Sequence, residues 1–245
     1  MDRLAVISDI HGNIPALEAV FTDIKARELN RVICLGDLAG KGPGSVEAVD
    51  MIRANCERVV KGNWDLMLCE REHGVLEWHQ KQLGRERLEY LNSLPIYLEF
   101  YLSGRLLRLF HASPFDVFYR TFLSSDMPKR LRLFEPTPTL NRPSDIVGYG
   151  DIHWAYVDSF DGRTVFNTGS VGNPLEITLA SYAIIEGNYG SEIPSSFSVS
   201  IVRVPYDTEK AVSLALASDM PEKDAYVKEL RTAVYRNINL VRPPV

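Results

Sequence analysis

Little in this chain suits a secreted, membrane-spanning or polyanion-binding protein. Cysteine is scarce: Cys34, Cys56 and Cys69 are odd in number and show no CxxC spacing. That pattern gives neither a disulfide framework nor a zinc ribbon, and buried reduced thiols in a reducing compartment account for it. No apolar run is long enough to span a bilayer. The opening run Leu4 to Ile7 meets Ser8 and Asp9 too soon for a secretory signal, so a cytoplasmic protein is expected. Positive charge is not in excess either: the formal net charge is -5. No general nucleic-acid or membrane-surface footprint exists, and an anionic substrate must be held by a local site. Repeats, biased tracts and flexible linkers are also missing, and 245 residues fit one α/β domain spanning 1-245.

What is present alternates. Leu4 to Ile7 is a continuous apolar run, as in a strand buried on both faces. Leu17, Val20, Phe21 and Ile24 then recur at helical spacing between Ile14 and Leu29, with Pro15 tolerated in the first turn. Arg31 to Leu35 repeats the strand, Val46 to Ala54 the helix and Arg58 to Val60 a third strand. This βαβαβ order predicts a parallel sheet with right-handed crossovers. Glu77 to Leu91 is helical, and Ile96 to Leu102 with Arg105 to Phe110 forms a hairpin turning at Ser103-Gly104. Residues from about 115 to 143 lack a clean period and are expected to form an inserted cap or loop segment. The runs Asp145-Gly148, Ala155-Phe160, Thr164-Asn167, Tyr182-Glu186 and Phe197-Val204 predict a second, antiparallel or mixed sheet. Helices over Thr208-Ala217 and Pro221-Tyr235 end the pattern.

Metal-ligand residue types follow these strands. Asp9 and His11 come after the first, Asp37 after the second, Asn63 after the third, His111 after the hairpin, and Asp151 with His153 after Ile146-Val147-Gly148. Loops at the carboxyl ends of parallel strands converge, so such residues meet in space. If the extended backbone continues, the i, i+2 spacing of Asp9 and His11 points both side chains one way. A lone Asp-x-His is most often a surface turn. Here three of the five histidines occupy strand ends, while His73 and His79 read as solvated helix residues.

In order, Ser8-Asp9-Ile10-His11-Gly12-Asn13, Gly36-Asp37, Gly62-Asn63-Trp64-Asp65, His111-Ala112-Ser113-Pro114 and Gly150-Asp151-Ile152-His153 resemble the five motifs of the calcineurin-like metallophosphoesterase superfamily. The segments Gly36 to Pro43 and Asn167 to Pro174 look like those of its small bacterial and archaeal phosphodiesterase branch. The resemblance implies a four-layer αββα sandwich of two mixed sheets flanked by helices. It implies two divalent ions, of Mn, Fe, Zn, Ni or Mg, and a metal-bound hydroxide that hydrolyses a small phosphate ester. By motif position, Asp9, His11 and His153 would hold the first ion, Asp37 would bridge, and Asn63, His111 and Asp151 would hold the second.

Two positions depart from the family pattern. Trp64 stands where the family's general-acid His usually follows Asn63, and Asp65, the usual partner of that His, is left to cap a helix. Asp151 stands where the fifth motif usually begins with His, leaving about +1 on the two-ion site by ligand counting. General acid catalysis is worth roughly 10²-10⁴-fold, so good leaving groups are favoured. Three functions stay open: an active phosphodiesterase or phosphatase on nucleotide-like or activated esters, a regulatory metal-binding protein with a partly disabled site, and a nuclease. No basic stripe interleaved with aromatics supports the last. Around the site, Asn13 is either a substrate donor or an N-cap, and Trp64 either a stacking surface or core. Arg120 is either a substrate contact or a packing or salt-bridge residue, Lys41 either a substrate contact or a solvated cation, and Gly169 to Gly172 is a tight supporting turn.

Overall fold

Strand pairing divides the extended segments between two sheets. In the computed structural model, which describes residues 1-71 and 74-236, β1 (Asp2–Ile7), β2 (Arg31–Cys34) and β3 (Arg58–Val59) run parallel. Helices α1 (Ile14–Ala26) and α2 (Ser45–Asn55) cross between them. Helix α1 starts where Asn13 accepts the Ala16 N–H, with Pro15 in the first turn. It stops before the expected Leu29 because Glu28 takes a left-handed φ of 58°.

After β3 come α3 (Asn63–Glu70) and α4 (Gly74–Ser93), the latter interrupted at Gly84, where φ is 67°. The hairpin β4 (Tyr97–Leu102) to β5 (Arg105–Phe110) turns at Ser103-Gly104 with φ of 51° and 81°. That two-residue left-handed turn matches the twist of its strands. Beyond it lie the five-residue helix α5 (Met127–Leu131) and a 3-10 turn (Arg132–Phe134). Strands β6 (Ile146–Tyr149), β7 (Ala155–Phe160) and β8 (Arg163–Thr168) complete the second sheet, in the order β4-β5-β6-β8-β7.

The expectation that all late strands build the second sheet is corrected. β9 (Ala180–Gly187) returns to lie antiparallel beside β1, placing Ala5 opposite Ile184, and β10 (Ser198–Val204) pairs with β9. The first sheet thus reads β10-β9-β1-β2-β3. A physical reason is the free edge of β1: its apolar side chains are fully buried, and the apolar run Tyr182 to Ile185 tolerates burial on both faces.

The sheets stack face to face through Leu4, Val6, Ile33 and Leu35 on one and Leu107, Leu109, Ile146 and Phe166 on the other. The far face of the first sheet packs Ala5, Ile7 and Val32 against Leu17 and Val20 of α1 and Ala48 and Ile52 of α2. The far face of the second, with Phe110, Val147 and Val165, meets Leu133 and Phe134. The segment at 115-143 therefore forms the thin fourth layer. It is tied down by Arg108, wholly buried, which donates to Glu99 and to the Glu135 carbonyl. Helices α6 (Thr208–Ala217) and α7 (Lys223–Thr232) pack on each other beside α1. Cys34 is buried, Cys56 and Cys69 are half-buried, and all three are free thiols. No helix among the described residues is long and apolar enough to cross a membrane.

Candidate metal centre

The carboxyl ends of β1, β2 and β3 meet those of β5 and β6 at one rim of the sandwich. Asp9, His11, Asp37 and Asn63 come from the first sheet, and His111, Asp151 and His153 from the second; none is more than 7% exposed. The extended backbone expected across Asp9 and His11 does not persist. Asp9, His11, Asp37, Asp151 and His153 all take left-handed φ values between 48° and 62°. Such positions persist only where surrounding structure fixes them. Here Asp9 N–H donates to the Gly36 carbonyl at 3.0 Å, and Ile10 and His11 N–H donate to that of Asp37 at 2.9 and 3.0 Å. Ser170 Oγ donates to the Asp9 carbonyl at 2.8 Å, giving the 169-172 turn its supporting role.

Close approach explains two glycines. A Cβ on Gly62 would lie 2.1 Å from Asp37 Oδ1, and one on Gly150 would lie 2.5 Å from Asp9 Oδ2. These loops reach their positions only without side chains there.

The donor atoms converge in two overlapping sets, Asp9-His11-His153 and Asp9-Asp37-His111, each within 4.8 Å. In the first, His153 Nε2 lies 3.1 Å from Asp9 Oδ1 and 3.3 Å from His11 Nε2. Asp37 straddles the sets, with Oδ2 3.5 Å from His11 Nε2 and Oδ1 3.5 Å from His111 Nε2. His111 Nδ1 donates to the Leu35 carbonyl at 2.8 Å and His153 Nδ1 to that of Asn173. Both rings therefore turn Nε2 inward, the nitrogen that ligates a metal once its proton is displaced. Asp9 Oδ1, His111 Nε2 and Asn63 Oδ1 are buried without a hydrogen-bond partner among the described residues. Buried polar atoms rarely stay unpaired. Mixed nitrogen and oxygen donors left open in this way fit a divalent ion of the Mn, Fe, Zn or Ni kind.

Electrostatics agree with that fit. Burial would raise the Asp9 carboxyl, but His153, whose Nε2 lies 3.1 Å from Oδ1, prevails and holds it at about 2. Burial would lower His111, but Asp37, Asp9 and Asp151 lift it to about 9. Burial carries Asp37 well above the carboxylate range against the pull of His111. Burial, with Lys41 and His153 nearby, takes His11 well below the imidazole range. Cation uptake by such a cluster displaces protons.

A cavity of about 240 Å³ opens over the centre, lined by Asp37, Asn63, Trp64, Arg120, Asp151 and His153 among others. Trp64 lines it from one side and packs inward on the other: a Cβ on Gly40 would meet the indole at 2.2 Å, and the ring stands edge-on to His11 with centroids 6.0 Å apart. Asp65 accepts from Gly62, Asp37 and Leu38 N–H groups and so pins the β2 and β3 loops together. Arg120 lines the cavity and also grips Asp151, donating Nε to Oδ2 at 2.8 Å and Nη2 to Oδ1 at 2.7 Å. Asp151 Oδ1 further accepts from Asn63 Nδ2 at 3.1 Å.

Asn13 is the N-cap of α1: it is 1% exposed, accepts from the Ala16 N–H and donates to the Gly172 carbonyl at 2.7 Å. His79 is corrected. It is wholly buried, with Nδ1 2.9 Å from Ser45 Oγ, because α4 turns that face onto α2 and Trp64; His73 lies outside the described residues. Arg236 gave no sequence signal, having neither motif nor strand before it. The fold brings it to the cavity, where it is held by Glu229 at 2.8 Å. Lys41 also lines the cavity, with Nζ 2.9 Å from Asn173 Oδ1.

A family model described as the calcineurin-like phosphoesterase superfamily domain matches residues 3–189. An uncharacterized protein of Methanocaldococcus jannaschii is 32% identical over 251 residues, covering 89% of this chain and 94% of that one. A symmetrical bis(5'-nucleosyl)-tetraphosphatase of Erwinia tasmaniensis is 38% identical over 73 residues, 29% of this chain and 27% of that protein. The crystal structure of a metallophosphoesterase from Sphaerobacter thermophilus superposes with a TM-score of 0.74 at 24% identity, covering 95% of this chain and 99% of that chain.

Proposed function

The chain belongs to the calcineurin-like phosphoesterase superfamily, and from that premise we propose that it hydrolyses small phosphate esters or anhydrides whose leaving groups need no proton, using divalent metal held by Asp9, His11, His153, Asp37 and His111. One observation carries this reading: open, buried donor atoms on Asp9, Asn63 and His111 cluster with Asp37 and His153, which line a cavity whose walls also bear Lys41, Arg120 and Arg236. Divalent ions in such a place polarise phosphoryl oxygens and acidify water. The chain's own residues do the rest. Asp37, held at Oδ1 by the Trp64 N–H at 2.8 Å, presents its two oxygens to the two donor sets. The wall cations attract and orient a phosphoryl group. Trp64 closes one side and offers an aromatic edge or face, but no useful proton.

Leaving groups of low pKa follow from that lack, since alkoxides depart slowly without an acid. A nucleotide-like phosphoanhydride meets the requirement, and the short match to a bis(5'-nucleosyl)-tetraphosphatase points the same way. The cavity's size favours a small substrate over a nucleic-acid duplex, and the free thiols favour a reducing, cytoplasmic setting. The test compares bis-p-nitrophenyl phosphate, p-nitrophenyl phosphate, alkyl phosphates and dinucleoside polyphosphates on protein loaded with Mn, Mg, Zn, Ni or Fe. Turnover that falls steeply with leaving-group pKa is expected. Failure to turn over any of them with any metal sinks the reading. It would instead favour a metal-binding regulatory protein, the role to which Trp64 and the Arg120–Asp151 pair lend support.

A further inference from the structure

Both oxygens of Asp151 are already engaged. Arg120 takes them side-on through Nε and Nη2, and Asn63 adds a third hydrogen bond to Oδ1. The Asp151 side chain is 1% exposed, so the pair sits at the buried floor, while Arg120 reaches in from the segment after β5 with 43% of its side chain exposed. A bidentate guanidinium–carboxylate pair is among the stronger and more directional contacts available to side chains. His111 Nε2, by contrast, is 3.9 Å from Asp151 Oδ1, and Asp151 is in neither of the two donor sets.

The second set then has a deficit. It shares Asp9 with the first, and Asp37 divides its oxygens between the two. Only His111 Nε2 is its own, and it carries no negative charge; the unpaired Asn63 carbonyl oxygen, the other candidate donor, is uncharged too. The fixed positive charge of Arg120 stands beside it, opposing a second cation.

We infer that Asp151 is a positioning residue for Arg120 and not a metal ligand, so that this chain binds one divalent ion tightly and uses the Arg120 guanidinium as the second positive charge over the phosphoryl site. This rests on the metal-dependent reading above. Arg120 Nη1 has no hydrogen bond among the described residues and is left for a phosphoryl oxygen. A guanidinium differs from an ion in that it can bind and orient oxygens but does not acidify water.

The test titrates the full chain with Mn²⁺, reading stoichiometry by elemental analysis after equilibrium dialysis and coupling by electron paramagnetic resonance. The wild-type protein is expected to take one ion tightly and a second at least about 100-fold more weakly, with an uncoupled signal. Asp151→His should bring the two affinities to within about tenfold and give an exchange-coupled signal. Arg120→Met, which keeps Asp151 and frees its oxygens, should tighten the second ion by about tenfold or more and covers the case that Asp151→His fails to fold. Two ions of similar affinity with a coupled signal in the wild-type protein overturn this inference and leave the phosphoesterase reading intact. A wild-type chain that binds no ion overturns both.

Discussion

Trp64 lines the cavity and offers no proton, so under the proposed mechanism its replacement is the most direct probe of the chemistry. Trp64→His should raise turnover of alkyl phosphates by up to about 10²-10⁴-fold and leave p-nitrophenyl esters little changed. Equal gains on both classes would show that the indole blocks access and does not merely fail to donate. Asp9→Asn removes the carboxylate common to both donor sets and should cost on the order of 10³-fold in turnover, with matching loss of bound metal by elemental analysis. His79 offers a test away from the centre. Burial holds its pKa at about 4 against 6.5 when unfolded. Both states are neutral above 6.5; below it the unfolded chain takes up the proton first, so stability falls as pH drops from 6.5 towards 4, by up to about 3 kcal/mol. Urea titrations at pH 7 and 5 should show this slope, and His79→Gln should reduce it, leaving the part of the same sign that buried His11 contributes. At this scale the sequence was informative where rare residue types sat at strand ends, as with His11, His111 and His153. It was silent for Arg236, which reaches the cavity through the packing of α7, and misleading for His79, whose neighbours are set by how two helices turn.

Among the elements, the loops after β2 and β3 carry the tightest steric condition. Gly62→Ala would put a methyl group 2.1 Å from Asp37 Oδ1 and 2.3 Å from its nitrogen. Overpacking of this kind costs about 1-3 kcal/mol, and it should lower both the melting temperature and manganese affinity. An alanine variant with unchanged affinity would mean the loops tolerate more movement than their contacts indicate. The first three strands, two crossover helices and the β4-β5 hairpin were legible because their signals are local: continuous apolar runs, helical spacing and a Ser-Gly turn. The destination of β9 was not. Its register against β1 joins residues far apart in sequence, and an apolar run records that a strand is buried but not which neighbour buries it. The segment at 115-143 lacked a period because its apolar residues are spread over turns and a five-residue helix, too short to show one.

For the molecule as a whole, the metal is expected to contribute to stability as well as to chemistry. At a free concentration 100-fold above Kd, Mn²⁺ should add about 2.7 kcal/mol, which for a chain of this size raises the melting temperature by roughly 5-10 °C. Calorimetry with and without chelator checks this. The layered architecture followed from the motif order, but the thinness of its outer layer did not, since layer thickness depends on tertiary packing of the inserted segment.

Asp9, His11 and Asp37 come from one sheet, and His111 and His153 from the other, so neither sheet carries a complete donor set. An ion seated between them would act as a rivet at one end of the sandwich: the halves could not slide or splay there without breaking its contacts. Amide exchange at Leu35 and Tyr149, on opposite sides of that seam, should therefore quicken together on demetallation, while the far end of the stack keeps its protection.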